Sequence, residues 1–254
     1  MRSLALFLGV LMSLPAAGAE CAAKSGDFTA ALVELYTSEG CDSCPPADRW
    51  LSNLARGAGR VVPLSLHVDY WDYIGWKDPY AKRAFSDRQR KLTQLQKLAF
   101  VYTPQVLLQG SDFRAWGSPA FEKAVAAINA RKPRARLELA IAAVKADRLS
   151  VETAAEVPDP ADRRDVALYI AAYENKLSSA VTAGENKGRT LSHDYVVLEW
   201  QGPLDLPEPG RLADRRDLPL LPKAVPTSSG VVAFVQNRRT AEVLQALMLP
   251  ACPG

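Results

Sequence analysis

The stretch Cys41-Asp42-Ser43-Cys44-Pro45 constrains this chain more than any other. It comes after an apolar run with strand character, Ala31–Thr37, and precedes an amphipathic run, Ala47–Ala55, with helix character. Two cysteines separated by two residues at a strand-to-helix junction can close a small, reducible disulfide. A helix start beneath them presents free N–H groups and the positive end of the peptide dipole, both of which stabilise a thiolate. That is the chemistry of dithiol/disulfide exchange.

The chain has 254 residues and a formal net charge of only +3, with basic residues scattered rather than clustered, so no nucleic-acid partner is indicated. Residues 1–19 carry Arg2, the apolar run Leu4–Leu14 and the small residues Ala17-Gly18-Ala19, the pattern of a cleaved signal peptide. The expected location is periplasmic or secreted, the mature chain beginning at Glu20, with no membrane span once the leader is gone. Export changes the reading of the four cysteines, because an even count in an oxidising compartment favours disulfides. The simplest pairing joins Cys41 to Cys44 as the redox pair and Cys21 to Cys252 as a structural staple. Closing so long a loop contributes roughly 4–5 kcal/mol in the chain-entropy picture. The alternative leaves Cys21 and Cys252 as free thiols in frayed tails.

Residues 28–131 alternate strand and helix: strand 31–37, helix 45–55, strand 61–68, helix 80–98, strand 105–109, a short strand 113–116 and helix 119–130. The run Val61–Val68 is apolar enough for the centre of a sheet. On helix 80–98, Ala81, Phe85, Leu92, Leu95 and Ala99 share one face, and Arg88 falls on that face too. Ser118-Pro119 is a helix start with a capping serine and a proline at the first helical position. Lys132-Pro133-Arg134 marks a boundary, and the remainder of the chain reads as β: 137–144, 149–157, 166–170, 195–200, 231–235 and 241–247, the last equally readable as a short helix. Residues 201–226 hold six prolines and read as an irregular excursion or a covered sheet edge.

Downstream of the cysteines, Thr103-Pro104 precedes the apolar strand Gln105–Leu108, and a glycine-bounded hairpin and a helix come next. The element order from 28 to 131, Cys41-x-x-Cys44-Pro45 and Thr103-Pro104 together resemble thioredoxin-like proteins. More narrowly, Thr37–Asp48, His67–Asp72 and Gly75–Pro79 resemble the secreted domain-of-unknown-function family numbered 1223, over most of the mature chain. The resemblance implies a thioredoxin-like fold, which the strand and helix order places over residues 20–132 as an α/β domain; the short strands and turns that come after suggest a smaller, mainly β, sandwich-like domain over 133–254. The resemblance also implies that Pro104, joined to Thr103 by a cis bond, faces the disulfide, with an extended substrate lying along Thr103-Pro104. By the same analogy Cys41 is the expected attacking thiol, exposed at the helix start, and Cys44 the buried thiol that resolves the mixed disulfide. The resemblance carries no established substrate or activity. Gly40 departs from the aromatic residue thioredoxins place before the first cysteine. Glu34, the candidate for their buried proton-shuttling carboxylate, stands one residue further from the cysteine than is usual; a salt-bridged or edge glutamate is the other reading.

Three functions remain open: an exported thiol–disulfide oxidoreductase, a copper-binding protein using Cys41, Cys44 and His67, and a non-catalytic binding module with a permanent disulfide. The first needs no separate cofactor; its partners would be a protein or small-thiol disulfide and a redox donor. Glu39 and Asp42 flank Cys41 and oppose its ionisation, so the pair is expected to be more reducing than a strong periplasmic oxidant. The segment 68–80 packs five aromatics and three aspartates together. Tyr70, Trp71 and Trp76 are read either as a substrate-binding surface or as a local core whose aspartates cap the next helix. His193, in a polar stretch, is read as a surface or structural residue.

Overall fold

The computed structural model describes residues 21–54, 59–145, 147–221 and 224–252. The expected leader, residues 1–19, lies outside them, as does Ala55 at the end of the first expected helix. The elements are strands β1 (Ala22–Lys24), β2 (Ala31–Thr37), β3 (Val61–His67), β4 (Gln105–Leu108), β5 (Ser111–Asp112), β6 (Arg136–Lys145), β7 (Arg148–Glu156), β8 (Val166–Glu174), β9 (Leu177–Ala180), β10 (Thr190–His193), β11 (Val196–Asp205), β12 (Arg211–Pro219), β13 (Ser229–Asn237) and β14 (Val243–Pro250). The α-helices are α1 (Pro45–Ser52), α2 (Arg83–Leu95) and α3 (Pro119–Asn129).

One eight-stranded mixed sheet runs β14-β13-β8-β11-β3-β2-β4-β5. β2 and β3 are parallel, with Thr37 opposite His67 at their carboxyl ends. β11 joins the other edge of β3, in parallel, through Val196 opposite Ser65. A four-stranded antiparallel sheet, β1-β6-β7-β12, and a separate two-stranded ribbon, β10-β9, complete the pairing among the described residues.

This architecture corrects the expected fold class of an α/β thioredoxin-like domain joined to a separate β sandwich. Strand makes up 42% and helix 19% of the described structure, so the protein is mostly β. Strands from both sides of residue 132 enter one sheet. The expectation failed because β3, rightly placed at a sheet centre, takes its second neighbour from β11, and no local pattern announces a pairing across so many residues.

The alternation of β2 divides the core. Ala31, Val33 and Leu35 pack with Leu51 of α1 and with Phe121, Val125 and Ile128 of α3. Leu32 and Tyr36 face the other way, onto Phe85 and Leu92 of α2 and Tyr169, Val232 and Phe234 of the second half of the chain. A third cluster lies between the two sheets, where Leu137, Leu139 and Val151 meet Leu168, Ile170, Val231 and Ala233. Residues 201–226 are more regular than their prolines suggest: β12 forms an edge strand on β7, the position where proline at a strand end is tolerated. The segment 241–247 is strand rather than helix, and the short strand after β4 falls at 111–112 rather than 113–116.

Cys21 and Cys252 are bonded, 231 residues apart in sequence. The bond joins the start of β1 to the segment after β14.

Glu34 projects from β2 into the α2-side core, fully buried, and receives two hydrogen bonds from Arg88, from Nε at 2.7 Å and Nη2 at 3.1 Å. Arg88 Nη2 also donates to Gln236 Oε1 of β13 at 2.9 Å. Its guanidinium lies 5.1, 4.7 and 5.4 Å from the ring centroids of Tyr169, Trp200 and Phe234. Burial works against this charge, but Glu34 outweighs it and holds the Arg88 pKa above its ordinary value. Removing one member of such a pair leaves the other buried and uncompensated, which costs about 3–5 kcal/mol. Arg88→Met should lower the unfolding free energy by about that amount in urea titrations, and the double variant Glu34→Leu/Arg88→Met should recover most of the loss. A single variant as stable as the wild type would refute the role given to the pair.

Candidate active site

The site lies at the carboxyl ends of the parallel strands β2 and β3, where open α/β arrangements bind their ligands. After Thr37, the turn Ser38-Glu39-Gly40 leads into Cys41, whose N–H bonds to Ser38 O at 3.1 Å. Cys41 and Cys44 are joined by a disulfide. Cys44 caps α1 without a side-chain hydrogen bond, and Pro45 and Pro46 fill the first two helical positions. Prolines there supply no N–H, and the Ala47 and Asp48 N–H groups both bond to Cys44 O. The first two helical positions therefore contribute no free N–H beneath the sulfurs. The polar neighbour of Cys41 Sγ is Ser43 Oγ, at 3.3 Å.

Both cysteines are fully buried, so Cys41 is not the exposed thiol expected from its position. The cover comes from the loop 181–189 that joins β9 to β10. Asn186, itself fully buried, donates from Nδ2 to Glu39 O and to Cys41 O, each at 2.9 Å. Glu185 Oε2 accepts the Asp42 N–H at 3.1 Å.

Thr103 and Pro104 are half-buried and joined by a cis bond. Trp71 connects them to the cysteine turn: its Nε1 donates to Thr103 Oγ1 at 2.7 Å, and a Cβ at Gly40 would lie 3.1 Å from Trp71 Cβ. Gly40 thus leaves room for an aromatic side chain contributed by the 68–80 segment. The half-buried rings of that segment bond to the site and to α2. Tyr70 donates to Gln89 Oε1 on α2 at 3.1 Å, and Trp76 Nε1 donates to Glu39 Oε2 at 2.8 Å. Tyr73, stacked on Trp71, is the exposed ring. Glu34 makes its bonds to Arg88 and Tyr36 and none to the cysteines, which is the salt-bridged reading.

Beneath the disulfide lies a buried ionisable cluster that the spacing of its members in sequence conceals. Glu39 Oε1 meets His193 Nε2 at 3.1 Å. His193 Nδ1 lies 3.9 Å from Asp48 Oδ2, on the helix turn following Cys44. His67 Nδ1 meets Asp78 Oδ2 at 2.7 Å, and the same oxygen accepts the Glu39 N–H at 2.8 Å. The two imidazole rings are 4.9 Å apart. Asp48 Oδ1, His67 Nε2 and His193 Nδ1 are buried without a hydrogen-bond partner. A pocket of about 150 Å³ between α1 and β10 is lined by Asp48, Arg49 and His193 among others. His193 is thus a buried member of the site rather than a surface residue. Its local sequence is polar, and burial is imposed only when β10 packs against α1.

Burial raises the pKa of Asp48 above the usual carboxylate range, against the pull of His193 and His67. For His67, burial disfavours the imidazolium, but Asp78 outweighs it and the pKa rises. Burial likewise opposes ionisation of Asp78, but His67 and the Glu39 and Tyr80 N–H groups hold it below its usual value. His67 Nδ1 faces Asp78 rather than a cysteine, and the described residues contain no cluster of three or more His, Cys, Asp or Glu suited to a metal ion. The proposed ligand set Cys41, Cys44 and His67 is not assembled in this disulfide-bonded state.

Residues 32–236 match the family described as Protein of unknown function (DUF1223). The chain belongs to that family. Among solved structures, protein AGR_C_4864 from Agrobacterium tumefaciens is similar, with 23% identity and a TM-score of 0.66 over 91% of this chain and 98% of that one. HBP35 of Porphyromonas gingivalis is similar with 16% identity and a TM-score of 0.66, over 89% of this chain and 76% of that one. At such identities the likeness speaks to the fold alone. No curated protein matches the sequence. None of the described helices is long and apolar enough to cross a membrane.

The His67–Asp78 pair gives a pH signature. The raised His67 pKa contributes stability that is complete below the unfolded value, about 6.5, and is lost as pH rises through the folded value. The lowered Asp78 pKa contributes stability that is complete above about 3.9 and is lost as pH falls through the folded value. Asp48 acts oppositely, its ionisation subtracting stability as pH rises. Asp78→Asn should therefore destabilise most between about pH 4 and 6.5, by about 3 kcal/mol or more, with the difference from wild type shrinking above that window. Urea titrations from pH 4 to 9 measure it; a difference independent of pH would contradict the assignment.

Proposed function

We propose that the protein is an exported thiol–disulfide oxidoreductase that exchanges disulfides at Cys41 and Cys44. The observation that carries this reading is a disulfide with little structural work to do, set within groups that can take up and release protons. In the chain-entropy estimate, closing the loop between Cys41 and Cys44 stabilises the fold by only about 2 kcal/mol, less than half the value for the Cys21–Cys252 loop. Yet the bond is enclosed on every side and lies one helical turn from Asp48. At this site the succession of strand, Cys-x-x-Cys and helix start is shared with the thioredoxin-like superfamily, and the kinship we propose is confined to that chemistry.

In the reducing direction, the Cys41 thiolate attacks one sulfur of the substrate disulfide, forming a mixed disulfide and releasing the first substrate thiolate. The Cys44 thiolate then attacks Cys41 Sγ, the intramolecular bond re-forms and the second substrate thiolate leaves. Two electrons pass from the protein to the substrate. Asp48, one helical turn after Cys44 and more basic than an ordinary carboxylate, accepts the Cys44 proton in its ionised form, and the pocket between α1 and β10 that Asp48 lines gives that proton an exit. With prolines in place of N–H donors at the first two helical positions, the Cys41 thiolate receives less stabilisation than at an ordinary helix start, which favours a reducing pair.

The reduction potential of Cys41–Cys44, measured against glutathione and dithiothreitol buffers, should fall well below that of the strong periplasmic oxidants, nearer about −270 mV than −120 mV. Cys44→Ser should accumulate mixed disulfides through Cys41. A pair that no thiol buffer reduces, together with no trapped partner, would defeat the proposal and leave a permanent structural bond.

A further inference from the structure

The loop 181–189 occupies the place a substrate must reach. Its residues close a tight turn: Val181 and Arg189 pair through Val181 N to Arg189 O at 2.9 Å, Gly188 N bonds to Val181 O at 2.8 Å and Lys187 N to Gly184 O at 3.2 Å. Gly184 and Gly188 both have positive φ, +73° and +83°. A Cβ at Gly184 would lie 3.0 Å from Ile74 Cδ1, so the loop packs against the aromatic segment as well as the cysteine turn. Arg189 Nη1 donates to Asn186 Oδ1 at 2.8 Å, which orients the Asn186 amide. That one side chain then donates to both Glu39 O and Cys41 O.

The ribbon that carries the loop, β9 paired only with β10, belongs to neither large sheet. Isolated two-stranded ribbons are marginal, and such elements open at lower free energy than a sheet core. The base of the ribbon is held by His193 on Glu39. The tip is held by Asn186 and Glu185 on Cys41 and Asp42.

Resting on the exchange reading, we propose that loop 181–189 is a gate over the disulfide, that Asn186 is its latch, and that the ligand which displaces it is an extended polypeptide carrying the reacting cysteine. The groups the latch engages define that ligand. Once the loop leaves, the Glu39 carbonyl needs an N–H donor, the Cys41 carbonyl keeps only the Cys44 N–H at 3.3 Å, and the Asp42 N–H needs an acceptor. A polypeptide main chain supplies both kinds of group at the spacing of consecutive residues. A thiol without a main chain on both sides supplies fewer, and it meets a closed gate.

The chemistry balances in the direction the test uses. A peptide thiolate attacks Cys41 Sγ, the Cys41–Cys44 bond breaks and Cys44 leaves as a thiolate that takes up a proton. A second peptide thiol attacks the peptide sulfur of the mixed disulfide and releases Cys41. Two peptide thiols become one peptide disulfide, and their two electrons and two protons reside on Cys41 and Cys44.

The test compares two uncharged probes on the full chain, with rates expressed per thiolate: 2-mercaptoethanol, and a nine-residue alanine–serine peptide, blocked at both ends, with one central cysteine. Reduction of Cys41–Cys44 is monitored by acid quench, alkylation and mass spectrometry. Wild type should react with the peptide about tenfold faster than with the small thiol, since two hydrogen bonds of ordinary net strength are at stake. Asn186→Ala should raise the small-thiol rate about tenfold and leave the peptide rate within about threefold, so that the preference collapses. Glu185→Gln, at an exposed position that should not disturb folding, should shift the preference in the same direction by a smaller factor. Equal rates for the two probes in wild type, or a preference unchanged in both variants, would overturn the gate while leaving exchange itself intact. Failure of both probes in every variant, with reduction achieved only after denaturation, would overturn the gate and the exchange reading together.

Discussion

Arg88 sits where the two halves of the chain meet. Its carboxylate partner comes from β2, its amide partner from β13, and the rings around it from β8, β11 and β13. A guanidinium at the heart of an apolar cluster is tolerable only while all of these are in place, because an unpaired buried charge costs more than most single contacts return. Satisfying it fixes α2 against the middle of the eight-stranded sheet and sets the second half of the chain beside the first. Because β11 attaches at the edge of β3, the ribbon β9–β10 that precedes it is brought over the carboxyl ends of β2 and β3. The cover over Cys41 is thus a consequence of how the sheet is completed.

Several parts of this structure were legible in the sequence, and the physics of each explains why. β2 and β3 are continuous apolar runs, the pattern of strands covered on both faces, and α3 is announced by Ser118-Pro119, whose serine Oγ accepts the Ala120 N–H. Arg88 on the apolar stripe of α2 was a visible anomaly whose meaning lay in residues some eighty to one hundred and fifty positions further on. The two cysteine pairs were readable from their positions alone. What escaped the sequence has a common cause. β9 and β10 are short, polar and half-exposed, so their alternation is weak. Asn186 and His193 are buried by tertiary packing that no nearby residue encodes. β12 was hidden by prolines that stand at its end and in the connection before it.

The candidate site shows the same division between local and distant information. Cys41, Cys44 and Pro45 form a local device, readable in five consecutive residues. The ionisable groups around it come from five separate places: Glu39 from the cysteine turn, Asp48 from α1, His67 from β3, Asp78 from the aromatic segment, and His193 from β10. Glu34, chosen as the proton-shuttling carboxylate from its place on β2, is held instead by Arg88. Asp48 is buried beside imidazoles without a full set of partners, and burial raises its pKa.

On this account the cysteine pair depends on the second half of the chain for its enclosure and for one of its histidines. The most direct measurement is the folding of a fragment spanning residues 21–132, which contains Cys41, Cys44, Thr103 and Pro104 but lacks β8, β11, β13 and the ribbon. Circular dichroism and urea titration of that fragment should show no cooperative unfolding, since Arg88 would lose its rings and β3 its second neighbour. A fragment that folds cooperatively, with its disulfide as protected from thiols as in the whole protein, would contradict the central claim that both halves build the site.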